Sequence, residues 1–214
     1  MLLTLIWMHP IPPKRHPVIK ILTLCGSLRR VSTNKTLLEA LVRLTPNGQL
    51  QLGLPNHAVR LESSPRLTSE GIQILHYEGI GLLPFFNPDL EAQEPPIVTD
   101  FRARLKEADG LIISSPEYAH GVPGVLKNAL DWLVGGSEIT EKPTALLSAS
   151  PGSTHAQESL EEILRTMSAR LVPEASAAVN LRGKKWTAED VLHDPEMAQT
   201  LTRSLEAFAK AIRD

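Results

Sequence analysis

At 214 residues the chain is sized for one domain with a full core rather than two. With 22 Lys and Arg against 24 Asp and Glu it carries a formal net charge of -2, which leaves no broad positive footprint for nucleic acid or an anionic membrane. The single cysteine, Cys25, rules out an intrachain disulfide, and the scattered histidines lack metal-ligand spacing; both features fit a reducing cytoplasm.

Residues 1–17 begin with a short apolar run and continue through a Pro-rich stretch with Lys14, Arg15 and His16. The run is too short to span a bilayer. Its positive residues follow it rather than precede it, and no small-residue cleavage site appears, unlike a secretory signal. We read it as an N-terminal extension of a domain covering 18–214.

Val18 to Leu24 is aliphatic and β-branched with Lys20 as its one charge, the pattern of a strand buried on both faces of a parallel sheet. Gly26 ends it, and after a Ser/Arg/Asn-rich loop Leu37, Leu38, Leu41, Val42 and Leu44 recur at helical spacing. From Thr45-Pro-Asn-Gly48 to about Gly71 the chain is polar and Pro-bearing, which predicts an insertion at about 46–71, irregular over Pro55 to Arg66. Ile72 to Tyr77 is a short strand. Gly79 to Leu90 is apolar but broken by Gly and Pro, a packed loop at the sheet edge, where Phe85 and Phe86 either fill the core or line a cleft.

Prolines 95 and 96 lead into a helix from Ile97 to Ala108 with Val98, Phe101, Leu105 and Ala108 in its stripe. Gly110 to Pro116 is the next buried strand, ending like the first in small polar residues, followed by a loop from Glu117 to Gly124 and a helix from about Val125 to Val134. Pro143 to Ser150 is a third such strand, running through Pro151-Gly-Ser-Thr154 into a helix from His155 to Met167. Leu171 to Val179 is a weaker strand broken at Pro173, and a polar stretch precedes a last amphipathic helix from Pro195 to Ile212. Alternating buried strands and amphipathic helices imply an α/β domain, an open parallel sheet covered on both faces. Three of the strands end in small-residue loops, at 25–34, 114–124 and 148–155, and strand ends in such a sheet gather on one rim where ligands bind.

In the first loop Ser27, Ser32, Thr33 and Asn34 offer neutral donors, and Arg29 or Arg30 offers a planar fork for phosphate oxygens at a helix N-terminus. The same residues also suit a plain strand-helix turn with Ser32 as its N-cap. Neither Gly-x-x-x-x-Gly-Lys-Ser/Thr nor Gly-x-Gly-x-x-Gly is present, so the usual NTP and dinucleotide loops are disfavoured and a monophosphate is favoured. In the second loop Tyr118 presents an aromatic face beside strand-end N–H groups, or merely packs. In the third, Gly152 permits close backbone approach, or the loop is a capped helix start. No Gly-x-Ser-x-Gly elbow supports a serine hydrolase. Cys25, at a buried strand end, reads as inert packing.

Taken together, Gly26-Ser-Leu-Arg-Arg-Val-Ser-Thr-Asn34, Leu83-Pro-Phe-Phe-Asn-Pro-Asp-Leu90 and the run from Ser115-Pro-Glu-Tyr118 to Leu133 resemble the NADPH-dependent FMN reductase family. The resemblance implies a flavodoxin-like fold, a doubly wound five-stranded parallel sheet of order 2-1-3-4-5. It implies FMN and NADPH as cofactors, with hydride passing from NADPH through FMN to a quinone, free flavin or similar acceptor by a ping-pong mechanism. Ser27, Arg29, Ser32 and Asn34 would hold the FMN phosphate, Pro116, Glu117 and Tyr118 would lie along the isoalloxazine, and Gly152 would approach its pyrimidine end. No side chain need act as a catalytic acid. The family is usually dimeric or tetrameric, which makes Trp132 a candidate interface residue, with ordinary core as its other reading. The chain departs from the common pattern at Ala119, where many members carry Asn, and after Gly152, where many carry two further glycines. A second reading is a flavodoxin-like FMN-binding electron carrier or redox-responsive module without NAD(P)H activity.

Overall fold

The computed structural model describes residues 18–45, 49–52, 58–60, 71–152, 154–183 and 185–214. The N-terminal extension, most of the insertion, Ser153 and Lys184 lie outside the described residues. In chain order the elements are β1 (Val18–Cys25), α1 (Thr33–Arg43), β2 (Gln49–Leu52), β3 (Ala58–Arg60), β4 (Gly71–Tyr77), α2 (Pro96–Glu107), β5 (Gly110–Ser114), α3 (Gly124–Asp131) and β6 (Pro143–Ser148). They continue with α4 (Thr154–Thr166), β7 (Arg170–Leu171), β8 (Ala177–Ala178), α5 (Ala188–His193) and α6 (Pro195–Arg213).

The eight strands among the described residues join one sheet of order β3-β2-β4-β1-β5-β6-β7, with β8 also paired to β6. Every pairing is parallel except β2 with β3. The expected order 2-1-3-4-5 is present as β4, β1, β5, β6 and the β7–β8 pair. Two differences follow from local chemistry and pairing. The fifth strand is split because Pro173 lacks a backbone N–H and opens a short 3-10 turn over Pro173–Ala175. The insertion, expected to hold no strand and to be irregular over Pro55 to Arg66, contributes β2 ahead of that stretch and β3 within it, which extend the sheet beyond β4; Gln51 and Leu52 pair with Leu75 and His76.

The sheet separates two cores. On one face Ile19, Ile21, Ile72 and Ile74 pack against Leu37, Leu41, Val191, Leu201, Leu205 and Phe208 of α1, α5 and α6. On the other, Leu22, Leu24, Leu111 and Ile113 pack against Phe101, Leu126, Leu130, Leu160 and Leu164 of α2, α3 and α4. Alternate residues of β1 serve alternate cores, so the strand has no polar face. Helix α5 falls in the stretch read as polar; it starts with a capping box in which Thr187 and Asp190 satisfy each other's backbone N–H groups. Among the described residues no helix is long and apolar enough to cross a membrane.

Candidate functional site

Strands β1, β5 and β6 are parallel neighbours, so their carboxyl ends share one rim, and the three loops meet there. Gly26 donates its N–H to the Ser114 carbonyl at 2.9 Å, and a Cβ on Gly26 would lie 2.4 Å from Ser115 Oγ. Glycine is therefore what lets the first loop lie directly against the second.

At the start of α1, Ser27, Ser32 and Asn34 are buried polar residues gathered around the helix N-terminus. Ser32 is the N-cap, its Oγ accepting from Lys35 N at 3.4 Å, and Ser27 Oγ accepts from Arg29 N at 3.4 Å. Both contacts are long, and each hydroxyl keeps its own proton to donate. Asn34 is held by Ser114, whose Oγ donates to Asn34 Oδ1 at 2.9 Å, so that the amide oxygen is engaged and the amide N–H groups remain as donors. The first turn of α1 contains no acidic residue, while Arg29 and Arg30 are exposed beside it. Helix N–H groups, donor side chains and uncompensated positive charge together favour an anion. Cys25 is buried next to this loop, and burial pushes its thiol up from its ordinary value, which keeps it protonated and unreactive.

The second loop is a tight hairpin turn. Tyr118 and Gly121 exchange backbone hydrogen bonds at 3.1 and 3.0 Å, and the two residues between them, Ala119 and His120, have φ of 50° and 59°. Positive φ at both central residues is the requirement of the two-residue turn that Asn-Gly sequences prefer. The turn leaves Tyr118 half exposed at 50 %. The Glu117 side chain turns instead toward α4. Its Oε2 accepts the Ala156 N–H at 2.9 Å and its Oε1 lies 3.2 Å from His120 Nδ1. His120 also stacks edge-on against His155, ring centroids 4.6 Å apart. Two histidines that are far apart in the sequence are thus brought together, although no group of acidic, His and Cys residues among those described could hold a metal ion.

In the third loop Gly152 has φ of 150°, a backbone that side-chain-bearing residues rarely adopt, and the space where its Cβ would stand is open. Ser148 Oγ and Ser150 form a local turn, with bonds of 3.1 and 3.2 Å. The residues expected from the sequence therefore divide in two. Ser27, Ser32, Asn34 and the exposed Arg29 converge at one helix N-terminus, while Pro116, Glu117, Tyr118 and Gly152 line the neighbouring strand ends. Sequence reasoning missed Ser114, although a Ser-Ser pair closing a buried strand was its visible trace.

The segment 79–93 borders the rim. Pro84 and Phe86 are fixed to α3, and Trp132, at 2 % exposure, is core rather than a subunit contact. Phe86 packs edge-on against Trp132 with centroids 5.1 Å apart, whereas Phe85 points outward, so one ring of the pair fills the core and the other does not.

The family model described as NADPH-dependent FMN reductase matches residues 19–183. A potato (Solanum tuberosum) NAD(P)H:quinone oxidoreductase is 32 % identical over 199 residues, covering 90 % of this chain and 92 % of the relative. The solved structure of FerB, a flavoenzyme NAD(P)H:(acceptor) oxidoreductase from Paracoccus denitrificans, superposes with a TM-score of 0.65 at 25 % identity, covering 91 % and 97 % of the two chains. An oxidised flavodoxin from Bacillus cereus shares the fold, with a TM-score of 0.50 at 16 % identity over 89 % of this chain and 97 % of its own.

Proposed function

The chain belongs to the NADPH-dependent FMN reductase family, an oxidoreductase family served by FMN and NAD(P)H, and from that premise we propose that it passes hydride from NADPH through bound FMN to a quinone, free flavin or similar small acceptor. In this reading the two substrates occupy one open site in turn, a ping-pong sequence. The observation that carries it is the buried Ser27, Ser32 and Asn34 set at the N-terminus of α1, where no acidic residue competes for an anion.

Ser27, Arg29, Ser32 and Asn34 hold the FMN phosphate. Pro116, Glu117 and Tyr118 run along the ring, and Gly152 lets the third loop approach the pyrimidine edge without a side chain in the way. When bound, FMN supplies the hydride and electron chemistry. What the chain contributes is orientation: donors for the phosphate, the Tyr118 turn beside the ring, and the Glu117 carboxylate tying that turn to α4. No side chain of the chain is assigned a proton-transfer role. The buried, protonated Cys25 and the lack of any candidate disulfide suit a cytoplasmic setting.

The purified protein is expected to bind FMN, to lose flavin absorbance on anaerobic addition of NADPH, and to regain it with a quinone. Initial rates measured against both substrates are expected to give parallel double-reciprocal lines. A protein that fails to bind FMN overturns the reading; intersecting lines overturn the ping-pong sequence alone. FMN that binds but is never reduced by NADPH or NADH would leave an electron carrier instead.

A further inference from the structure

His120 and His155 have no part in the functional reading, yet the fold brings both to Glu117 on the strand-end rim. Among the described residues four besides glycine have positive φ, and two of them, Ala119 and His120, are consecutive. Left-handed backbone is costly for residues that carry a side chain, and such strain gathers where a side chain has to be aimed. Here the turn sets the His120 ring beside the Glu117 carboxylate.

That carboxylate is only 14 % exposed, and both of its oxygens are engaged. Oε2 accepts the Ala156 N–H at the start of α4 at 2.9 Å, and Oε1 lies 3.2 Å from His120 Nδ1. A carboxylate at that distance makes Nδ1 the nitrogen that carries the proton of the neutral ring, which leaves Nε2 to take up and release another. Nε2 has no hydrogen-bond partner among the described residues, and the side chain is 75 % exposed. The edge-on contact with His155, ring centroids 4.6 Å apart, braces the ring from α4. One nitrogen of the imidazole is thus tied to the fold through two loops, and the other is open to solvent two residues from Tyr118.

The reaction has a proton to place. A quinone that accepts a hydride gains two electrons and one proton and is left as a hydroquinone monoanion; one further proton completes the hydroquinone. We propose that His120 supplies that proton. The Nε2–H bond of the doubly protonated ring breaks as an O–H bond forms on the anionic oxygen, so the step moves a proton and no electrons. The ring returns to the neutral form whose Nδ1–H is held by Glu117, and solvent restores the proton at Nε2 before the next turnover. His155 acts through His120, as a positioning residue. The inference rests on the functional reading for the acceptor class and goes beyond it in giving a proton-transfer role to a side chain.

Two acceptors separate the proton from the electrons. Ferricyanide takes electrons singly and needs no proton, whereas a benzoquinone needs one for each hydride. His120→Asn suits the left-handed backbone of the turn and has no titrating nitrogen. With NADPH as donor it is expected to lower the ratio of the quinone rate to the ferricyanide rate about 100-fold, the low end of what a positioned general acid contributes. Added imidazole is expected to restore part of that ratio. Without turnover, long-range proton–nitrogen correlation spectra of the purified protein are expected to place the proton of the neutral His120 ring on Nδ1 in the wild type, and to show it shared between both nitrogens in Glu117→Ala. An unchanged rate ratio in His120→Asn, a neutral wild-type ring protonated at Nε2, or an equal fall of the ratio in His155→Phe overturns the inference and leaves the functional reading standing. Failure of NADPH to drive turnover with either acceptor overturns both.

Discussion

Glu117 in the loop after β5 and Ala156 in the first turn of α4 are 39 residues apart, yet the carboxylate of one caps the backbone N–H of the other at 2.9 Å. The bond ties the second strand-end loop to the third and places a negative charge at a helix N-terminus, where the dipole favours it. Replacing Glu117 with Ala leaves that N–H unpaired and releases His120. We expect a loss of about 1–2 kcal/mol of stability, the range for losing a helix cap or a charge-assisted hydrogen bond. Amide exchange at Ala156 is expected to speed up selectively. Glu117→Gln, which keeps an acceptor oxygen, is expected to recover most of both; equal protection at Ala156 in all three proteins would remove the cap from the account.

The hairpin turn that carries Tyr118 demands a left-handed backbone at Ala119, with φ of 50°. Alanine has neither the freedom of glycine nor the local hydrogen bonding that lets asparagine sit there, and the conformation costs an L-residue roughly 1–2 kcal/mol. Ala119→Asn is therefore expected to stabilise the protein by about 1 kcal/mol, a rise in melting temperature of about 2–4 °C for a chain of this size. The residue common in the family at this position then has a backbone reason to be there, apart from any contact its side chain makes. A melting temperature unchanged or lower in Ala119→Asn would show that the turn carries no such strain.

Why some of this was legible and some was not has physical causes. The buried strands β1, β5 and β6 are continuous aliphatic runs closed by Gly or Ser, and such runs announce both their burial and their ends. By contrast β2 reads Gln-Leu-Gln-Leu and β3 is only three residues long, so their strand state comes from pairing with β4 and with each other, not from local composition. Helix α5 did leave a trace, the Thr187-x-x-Asp190 cap, but six residues give too little periodicity to read. Within the site, the residue types at the rim were visible in sequence. The contacts that organise them, Ser114 with Asn34 across 80 positions and Glu117 with Ala156, join residues whose proximity only the folded sheet creates.

His76 sits in β4 directly across from Thr23 of β1, its Nδ1 2.9 Å from Thr23 Oγ1, and burial lowers its pKa from 6.5 to about 4. Above pH 6.5 the ring is neutral in both folded and unfolded chains and adds no pH dependence. Below it the unfolded chain takes up the proton first, so stability falls as pH falls, until the folded ring also protonates near pH 4. At about 1.4 kcal/mol for each tenfold in proton affinity, the full loss is about 3 kcal/mol. Chemical denaturation at pH 7 and pH 5 is expected to show most of this difference in the wild type and a smaller one in His76→Gln. Equal pH dependence in both proteins would assign the loss to other groups.

The hydrogen bond from Ser114 to Asn34 gives the sharpest test of the phosphate assignment, because it separates orienting the donor from supplying the charge. Ser114→Ala removes only the hydroxyl that holds the Asn34 amide; its cost in stability is about 1 kcal/mol. Free to turn, the amide is expected to bind FMN roughly 3- to 10-fold less tightly, the loss of one neutral hydrogen bond. Arg29→Ala removes a charged fork and is expected to cost roughly 10- to 100-fold, in the range of hydrogen bonds to charged groups. Riboflavin, which shares the ring and lacks the phosphate, provides the control. Fluorescence titration of apoprotein is expected to show FMN affinity falling in both variants while riboflavin affinity stays near that of the wild type. If riboflavin weakens in parallel with FMN, then Arg29 and Asn34 act on the ring or on the fold, and the loop at the start of α1 is not the phosphate cradle.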